Sequence, residues 1–316
     1  MNRLIIVVPC FNEQEVLPLT FARLSEVLEG MVSCGKIAPN SGALFVDDGS
    51  RDKTWELIEA EHNRNRYVMG VSLASNVGHQ NALLAGLTAA SKIGDMSVSI
   101  DADLQDDVSA IEKMVDCYLK GADIVYGVRG ERKTDSWFKR TTAQGFYKVM
   151  AALGARTVYN HADFRLLSKR ALNELLQYKE RNIFLRGIVP LIGFKSETVV
   201  YSRGERAAGK SKYPFKKMLS FAWDGITSFS IKPITLIAML GGIIMACAIA
   251  AFIYILISYF CGNTSPGWAS LMASVWFLGG VQLFSIGVVG QYVGKTYIES
   301  KQRPRFTVDK MLIDSE

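Results

Sequence analysis

Between Lys232 and Lys295 the chain carries no Asp, Glu, Lys or Arg. This interval divides into Ile234–Phe260 and Trp268–Val293, separated by Cys-Gly-Asn-Thr-Ser-Pro-Gly. Each half exceeds the roughly 20 apolar residues that cross a bilayer. Core helices of soluble domains rarely run so long without a charge, so the interval predicts a transmembrane hairpin, with spans at about 234–260 and 268–293. Lys210, Lys212, Lys216, Lys217 and Lys232 precede the first span, and Lys295, Lys301, Arg303 and Arg305 follow the second. The connecting loop is uncharged, so the positive-inside rule places the large N-terminal region and the short tail together in the cytoplasm. The expected location is the cytoplasmic (inner) membrane, multi-pass, with no signal peptide, because Met1–Pro9 is too short and leads into polar, acidic sequence.

These spans account for a hydrophobic content of 49% in a chain of 316 residues. They divide it into a large N-terminal domain 1–212, a juxtamembrane segment 213–232, the helical pair 233–294 and a cytosolic tail 295–316. The formal net charge of +6 is then mostly membrane-surface charge and gives no reason to expect nucleic acid. Within Pro214–Ser230, Phe215, Met218, Leu219, Ala222, Trp223, Ile226 and Phe229 form one helical stripe with Lys216 and Lys217 off it. That pattern suits an amphipathic helix lying in the interface plane. Five cysteines without C-x-x-C spacing and three scattered histidines point away from zinc and from a disulfide framework.

Ahead of the membrane, apolar runs alternate with helical patterns. Leu4–Pro9, Ala43–Val46, Tyr67–Leu73, Met96–Ile100 and Asp123–Val128 read as buried strands. Helices are expected at Val16 to about Val32, Trp55 to about His62, Asn76 to about Ala90 and Val108–Leu119. Units of this length predict an α/β, Rossmann-like, mostly parallel, doubly wound sheet. Beyond Val128 the pattern loosens into helices near Ser136–Leu153, Ala171–Gln177 and Ile183–Leu191, a short segment Ala162–Leu167 and a strand Glu197–Tyr201.

The Met96–Ile100 run ends in four carboxylates, Asp101, Asp103, Asp106 and Asp107. Open α/β sheets bind ligands at the carboxyl ends of their strands. Acids one residue apart need a counter-charge, and a hard divalent cation, Mg²⁺ or Mn²⁺, supplies one while holding phosphates. An EF-hand is excluded, since its sixth position would be Asp106 where the turn needs Gly, and a strand precedes the loop. Asp47 and Asp48, on a Gly-Ser turn after the second strand, are placed to accept hydrogen bonds from a nucleotide. After the first strand, Pro9-Cys-Phe-Asn-Glu lacks the glycines of a dinucleotide fingerprint, so phosphates must be neutralised elsewhere. Gly204–Ser211 satisfies the P-loop pattern but is followed by Pro214 and membrane, with no later strand to supply the second acid. The basic residues in and around it, Arg203, Arg206, Lys210 and Lys212, instead suit an anionic group near the membrane surface. Arg129, Arg140 and Arg165 could supply guanidinium forks to a second phosphate.

Pro9-Cys-Phe-Asn-Glu13, Val46-Asp-Asp-Gly-Ser50, Asn76-Val-Gly78-His-Gln, Asp101-Ala-Asp-Leu-Gln105 and Asp163-Phe-Arg165, in this order and spacing, resemble the family 2 glycosyltransferases that load sugars onto polyisoprenyl phosphates. Bactoprenol glucosyltransferases and dolichyl-phosphate mannosyltransferases belong to that group. The resemblance implies a GT-A fold and inverting transfer from a nucleotide sugar. Pro9, Phe11, Glu13, Asp47 and Asp48 would hold the nucleotide. Asp101, Asp103 and Gln105 would hold the metal and diphosphate, with Asp101 also on the nucleotide side. Arg129 and Arg140 would bind the acceptor phosphate; Arg203, Lys210 and Lys212 are added to that set by their charge beside the membrane, not by the resemblance. Asp163 matches a position proposed as a base. A lipid monophosphate with a second pKa of about 6 is already largely dianionic, so Asp163 is expected to orient Arg165 or the acceptor instead.

The function expected is transfer of a sugar from a UDP-sugar such as UDP-glucose to undecaprenyl phosphate for cell-envelope glycan modification. The alternatives are a GDP-mannose-dependent mannosyltransferase and, from another class, a membrane scaffold or transport component. Spans without an intramembrane charge make a poor polar path, which disfavours transport. A processive synthase would carry a Gln-x-x-Arg-Trp motif, which is missing. Gly287, Gly290 and Gly294 suit close helix packing and a homo-oligomer. A separate flippase and a downstream glycosyltransferase complete the expected partners.

Overall fold

The computed structural model describes residues 1–130, 161–181, 184–202, 232–261 and 267–313. In chain order these form β1 Leu4–Cys10, α1 Leu17–Ser33, β2 Gly42–Asp47, α2 Thr54–His62, β3 Val68–Leu73, α3 His79–Ile93, β4 Met96–Ser99, α4 Ala110–Leu119, β5 Ile124–Arg129, β6 His161–Ser168, α5 Lys169–Leu175, α6 Leu185–Ile188, a 3-10 turn Val189–Ile192, β7 Ser196–Tyr201, α7 Lys232–Phe260, α8 Trp268–Ser300 and β8 Val308–Leu312. The expected helices near Ser136–Leu153 and Pro214–Ser230 lie outside the described residues. The described residues form two units, one holding the sheet with α1–α6 and the tail from Arg303, the other holding α7 and α8.

The sheet has eight strands in the order β7-β5-β6-β4-β1-β2-β3-β8. Neighbours pair in parallel at β1–β2, β1–β4, β2–β3 and β5–β7, while β6 runs against β4 and β5, and β8 runs against β3. All strands but β6 and β8 therefore point the same way, the Rossmann-like arrangement expected from the alternating pattern. Every residue of β1 and β2 is buried, as strands covered on both faces must be. Phe45 and Phe164 are among the largest fully buried side chains, and Phe21 of α1 meets Phe45 edge-on at 4.7 Å.

Two features depart from the sequence reading. The short segment Ala162–Leu167 is a full strand, β6, inserted antiparallel between β4 and β5. The tail, read as a separate cytosolic segment, contributes β8 to the sheet edge, pairing Val308–Leu312 with Gly70–Leu73. Its Val-Asp-Lys-Met-Leu is short, carries two charges in five residues and does not alternate, which leaves too weak a pattern to announce a strand. Covering β3 in this way also removes an unpaired ladder.

Helix α3 lies close against β1 and β2 because Gly86 faces them. A Cβ there would stand 2.6 Å from Val46 Cγ2 and closer still to Val7 Cγ1. Gly86→Ala is expected to lower stability by about 1–2 kcal/mol, since overpacking outweighs the roughly 1 kcal/mol helix-propensity gain. Thermal unfolding monitored by circular dichroism reads this as a melting temperature lowered by about 2–8 °C.

In the second unit, α7 has 29 residues and α8 has 33. Helix α8 continues past Val293, the expected end of the span, to Ser300. Among the described residues, Phe277–Ser300 is long and apolar enough to cross a membrane by length and composition. Leu283, Phe284 and Ile286 are exposed along it, and Ile249, Ile253 and Ile257 along α7. Helices that are apolar all round must bury that surface in protein or lipid, so this unit associates with membrane.

Candidate active site

The carboxyl ends of β1, β2 and β4 lie on one sheet edge, and β6, running the other way, brings its N-terminal half there. The register pairing Ser99 with Arg165 carries Asp163 to the level of Asp101, 62 positions away in sequence. Ser99 Oγ locks this by donating to the Asp163 carbonyl at 2.5 Å. Arg129 ends β5 on the same edge, one position beyond the Val128–His161 pair. Arg140, Arg203, Lys210 and Lys212 lie outside the described residues.

The loops after β1 and β2 are fastened to each other. The Asp48 N–H donates to the Cys10 carbonyl at 2.9 Å, the Asn12 N–H to Ser50 Oγ at 2.9 Å and the Glu13 N–H to Thr54 Oγ1 at 3.0 Å. Pro9 is buried at the end of β1, Phe11 is exposed beside it, and Glu13 is half-buried. Asp47 accepts from the Ser50 N–H at 3.3 Å. Asp48 turns inward instead: Oδ1 accepts from the Val77 N–H at 2.7 Å and Oδ2 from the Gly78 N–H at 3.0 Å. Gly49, at φ +63°, allows this, because a Cβ there would collide with Ser75 and Asn76 backbone. Burial raises both carboxyls above their ordinary pKa, and these hydrogen bonds oppose the rise. Asp48 thus fixes the Asn76–Gly78 loop that opens α3. Asp48→Ala is expected to weaken binding of the nucleotide predicted for this edge about tenfold, the effect of losing a charge-assisted pair of hydrogen bonds, and calorimetry would measure it.

The fixed loop presents His79, whose Nε2 stands 3.6 Å from Asp101 Oδ1 and 3.8 Å from Asp163 Oδ2. His79 therefore sits between Asp101, just beyond the end of β4, and Asp163, near the start of β6. Asp103 Oδ1 accepts from the Gln105 N–H at 3.2 Å, and Leu104 between them takes a left-handed φ of +51°. The Asp101 carboxyl is pushed upward, first by its recess among protein atoms, against the pull of His79, and then by the carboxylates of Asp163, Asp106 and Asp103. Such a cluster is short of positive charge. The carboxylates of Asp101 and Asp103 with the Gln105 amide are hard oxygen donors that suit Mg²⁺ or Mn²⁺. Among the described residues no three His, Cys, Asp or Glu side chains converge to cage a metal. A cation held by two carboxylates keeps positions open for phosphate oxygens, the usual arrangement for Mg²⁺ at phosphate sites.

Asp163 stands in a different field. Its Oδ1 accepts from Arg165 Nη2 at 2.5 Å and from Arg186 Nε at 3.2 Å, and its Oδ2 from Arg186 Nη2 at 3.0 Å. Burial alone would raise its pKa, but the two guanidiniums overcome this and hold it well below the carboxylate range. Arg165 is 2% exposed and also donates to the Leu185 carbonyl at 3.2 Å. Arg186, on α6, was not singled out by the sequence; its one clue is that it is the sole charge within Phe184-Leu-Arg-Gly-Ile-Val. Gln80 Oε1, accepting from the Leu185 N–H at 2.9 Å, ties α6 to the start of α3.

A strand-end acid pair and a carboxylate pinned by two arginines thus share one edge of a mostly parallel sheet. Residues 5–176 match the model of glycosyl transferase family 2, more than half of the chain. The chain belongs to glycosyl transferase family 2. This glycosyltransferase is 55% identical over 306 residues to YkoT, an uncharacterized glycosyltransferase of Bacillus subtilis strain 168, with 97% of this chain and 91% of that one covered. It is 38% identical to the bactoprenol glucosyl transferase of Shigella phage SfV, with 96% and 97% covered. Among solved structures it is similar to glucosyl-3-phosphoglycerate synthase from Mycobacterium tuberculosis in complex with Mn²⁺, UDP-glucose and phosphoglyceric acid, at 17% identity and a TM-score of 0.47, covering 72% of this chain and 78% of that one. By its family and its mostly parallel, Rossmann-like sheet, the glycosyltransferase is an enzyme of the GT-A fold, as its motifs implied.

Proposed function

We propose that this glycosyltransferase transfers glucose, or a related sugar, from its UDP conjugate to a polyisoprenyl phosphate such as undecaprenyl phosphate, with inversion at the anomeric carbon. The observation that carries the reading is the pairing of two environments on one sheet edge, the cation-seeking acids Asp101 and Asp103 and the arginine-bound Asp163. The near full-length similarity to a bactoprenol glucosyl transferase supports the acceptor and the sugar.

In this reaction an oxygen of the lipid phosphate attacks the anomeric carbon, and the bond from that carbon to the UDP oxygen breaks, its electron pair leaving with UDP. Asp101, Asp103 and Gln105 would hold Mg²⁺ or Mn²⁺, which when bound neutralises charge gathering on the departing diphosphate. Pro9, Phe11, Glu13 and Asp47 border the nucleotide, while Asp48 keeps the Asn76–Gly78 loop in place. The acceptor is a dianion and surrenders no proton. Asp163 accordingly orients Arg165 and Arg186, and Arg129, Arg140, Arg203, Lys210 and Lys212 receive the acceptor phosphate.

Topology supports delivery from a membrane. Strand β7 precedes α7 and β8 follows α8, yet both belong to one sheet. A chain that left that sheet and returned to it crosses a bilayer an even number of times. With the basic flanks of the helical pair, this favours two passes, with the sheet on the cytoplasmic side. The deciding assay is transfer of labelled sugar from a donor panel to extractable lipid by the purified protein in detergent. UDP-glucose should label the lipid. Preference for GDP-mannose would replace the donor, and the absence of any labelled lipid would end the reading.

A further inference from the structure

The loop from Asp101 to Asp107 is held in a conformation it would not choose alone, since Leu104 occupies the left-handed region at φ +51°. A residue with a Cβ resists that region, so the surroundings must impose it. Thr20 Oγ1 donates to the Ala102 carbonyl at 2.9 Å on one side of the strained residue. On the other side, Asp106 is 3% exposed and accepts a 2.6 Å hydrogen bond from the Tyr201 hydroxyl, 95 positions away. Tyr201 is the last residue of β7 and is itself buried.

Tyr201 touches more than the loop. Its ring meets Phe164 edge-on, at 5.2 Å and 81° between planes, and Phe164 lies between Asp163 and Arg165 on β6. Its carbonyl accepts from the Gly130 N–H at 3.0 Å, directly after Arg129, its register partner on β5. One residue thus meets, through its side chain, the loop bearing Asp101, Asp103 and Gln105 and the strand bearing Asp163, and, through its backbone, the strand ending in Arg129.

We infer that Tyr201 is a positioning residue: through its hydroxyl on Asp106 it holds the Asp101–Asp107 loop in its strained, donor-ready shape and fixes that shape to the strand that carries Asp163. The inference rests on the reading of Asp101 and Asp103 as the donor-side cation ligands. A buried hydrogen bond to a carboxylate is strong enough to hold a loop of this kind, and the phenol supplies it without adding charge to an already acidic cluster.

Tyr201→Phe removes one oxygen and keeps the ring on Phe164, so the sheet should remain intact. Amide hydrogen exchange on the metal-free protein is the first test. Peptides covering residues 101–107 should exchange about tenfold faster in Tyr201→Phe, while those in β1 and β2 are unchanged. Calorimetry with UDP and Mn²⁺ is the second, and dissociation constants should rise about tenfold. In an Asp106→Ala background, Tyr201→Phe should add nothing to either quantity. Unchanged loop exchange in Tyr201→Phe, or additive effects in the double variant, would overturn the inference. Failure of the underlying reading is distinct: wild-type protein would then bind UDP equally well with and without Mn²⁺, whatever the exchange data show.

Discussion

Asp103→Ala is expected to reduce kcat for sugar transfer by about a thousandfold, the upper range for deleting one group that stabilises charge developing in a transition state. The side chain is half-buried at the tip of the loop, and its backbone contact, from the Gln105 N–H, is local. Its loss should therefore change stability by no more than about 1 kcal/mol. The split between activity and stability is the signature sought, with calorimetric melting set beside turnover of lipid acceptor. Wild-type enzyme treated with a chelator should fall to the level of the variant and recover with Mg²⁺ or Mn²⁺. Near-normal transfer by Asp103→Ala in the presence of chelator would remove the cation from the reaction.

The second large effect is expected at Asp163, and there it is structural before it is catalytic. Arg165 is buried at 2% exposure, and Asp163 is its carboxylate partner. Asp163→Ala strands that guanidinium away from water, which costs about 3–5 kcal/mol for a buried pair broken from one side. In a unit of this size the melting temperature should drop by about 6–20 °C. Because the folded pKa of Asp163 is depressed, its contribution is fully present above the unfolded value, about 3.9, and is lost as pH falls below it. Acid unfolding of the wild type should therefore steepen below about pH 4, and Asp163→Asn should flatten that limb. The same variant separates two roles. A base would leave a pH–rate profile whose acidic limb vanishes in Asp163→Asn, whereas an orienting residue lowers kcat uniformly across pH. The uniform loss is expected, since a carboxylate bound by Arg165 and Arg186 is a poor proton acceptor.

Much of this site was legible because the relevant signals are local. Apolar runs that stop at Asp47 and at Asp101 mark strand ends, and strand ends of a parallel sheet share an edge, so the acids could be placed together before any coordinates. Asp163 and Arg165, two apart, fall on the same face of a strand and could be read as a pair once a strand was suspected there. Arg186 could not, because a one-turn helix carries too little periodicity to aim a side chain. Asp48 was read as a nucleotide contact from its place on the turn, yet both its oxygens meet backbone amides 29 and 30 positions on. His79 and Tyr201 likewise gain their meaning from neighbours distant in sequence. The resemblance to family 2 was carried by motif order, and the family match confirmed it, but motif order alone did not reveal which of the motif residues face inward.

By itself the sequence determined the alternating α/β plan, the acidic edge and the long charge-free helices, since strand burial, turn chemistry and span length are set by neighbouring residues. Only the tertiary structure decided that β6 runs backwards to bring Asp163 level with Asp101, that Arg186 joins Arg165 on it, that Tyr201 holds the acidic loop, and that the tail returns as β8. Each of those depends on pairing between segments far apart in the chain. Such pairing is chosen by the free energy of the whole packed sheet, and no short stretch of sequence encodes it.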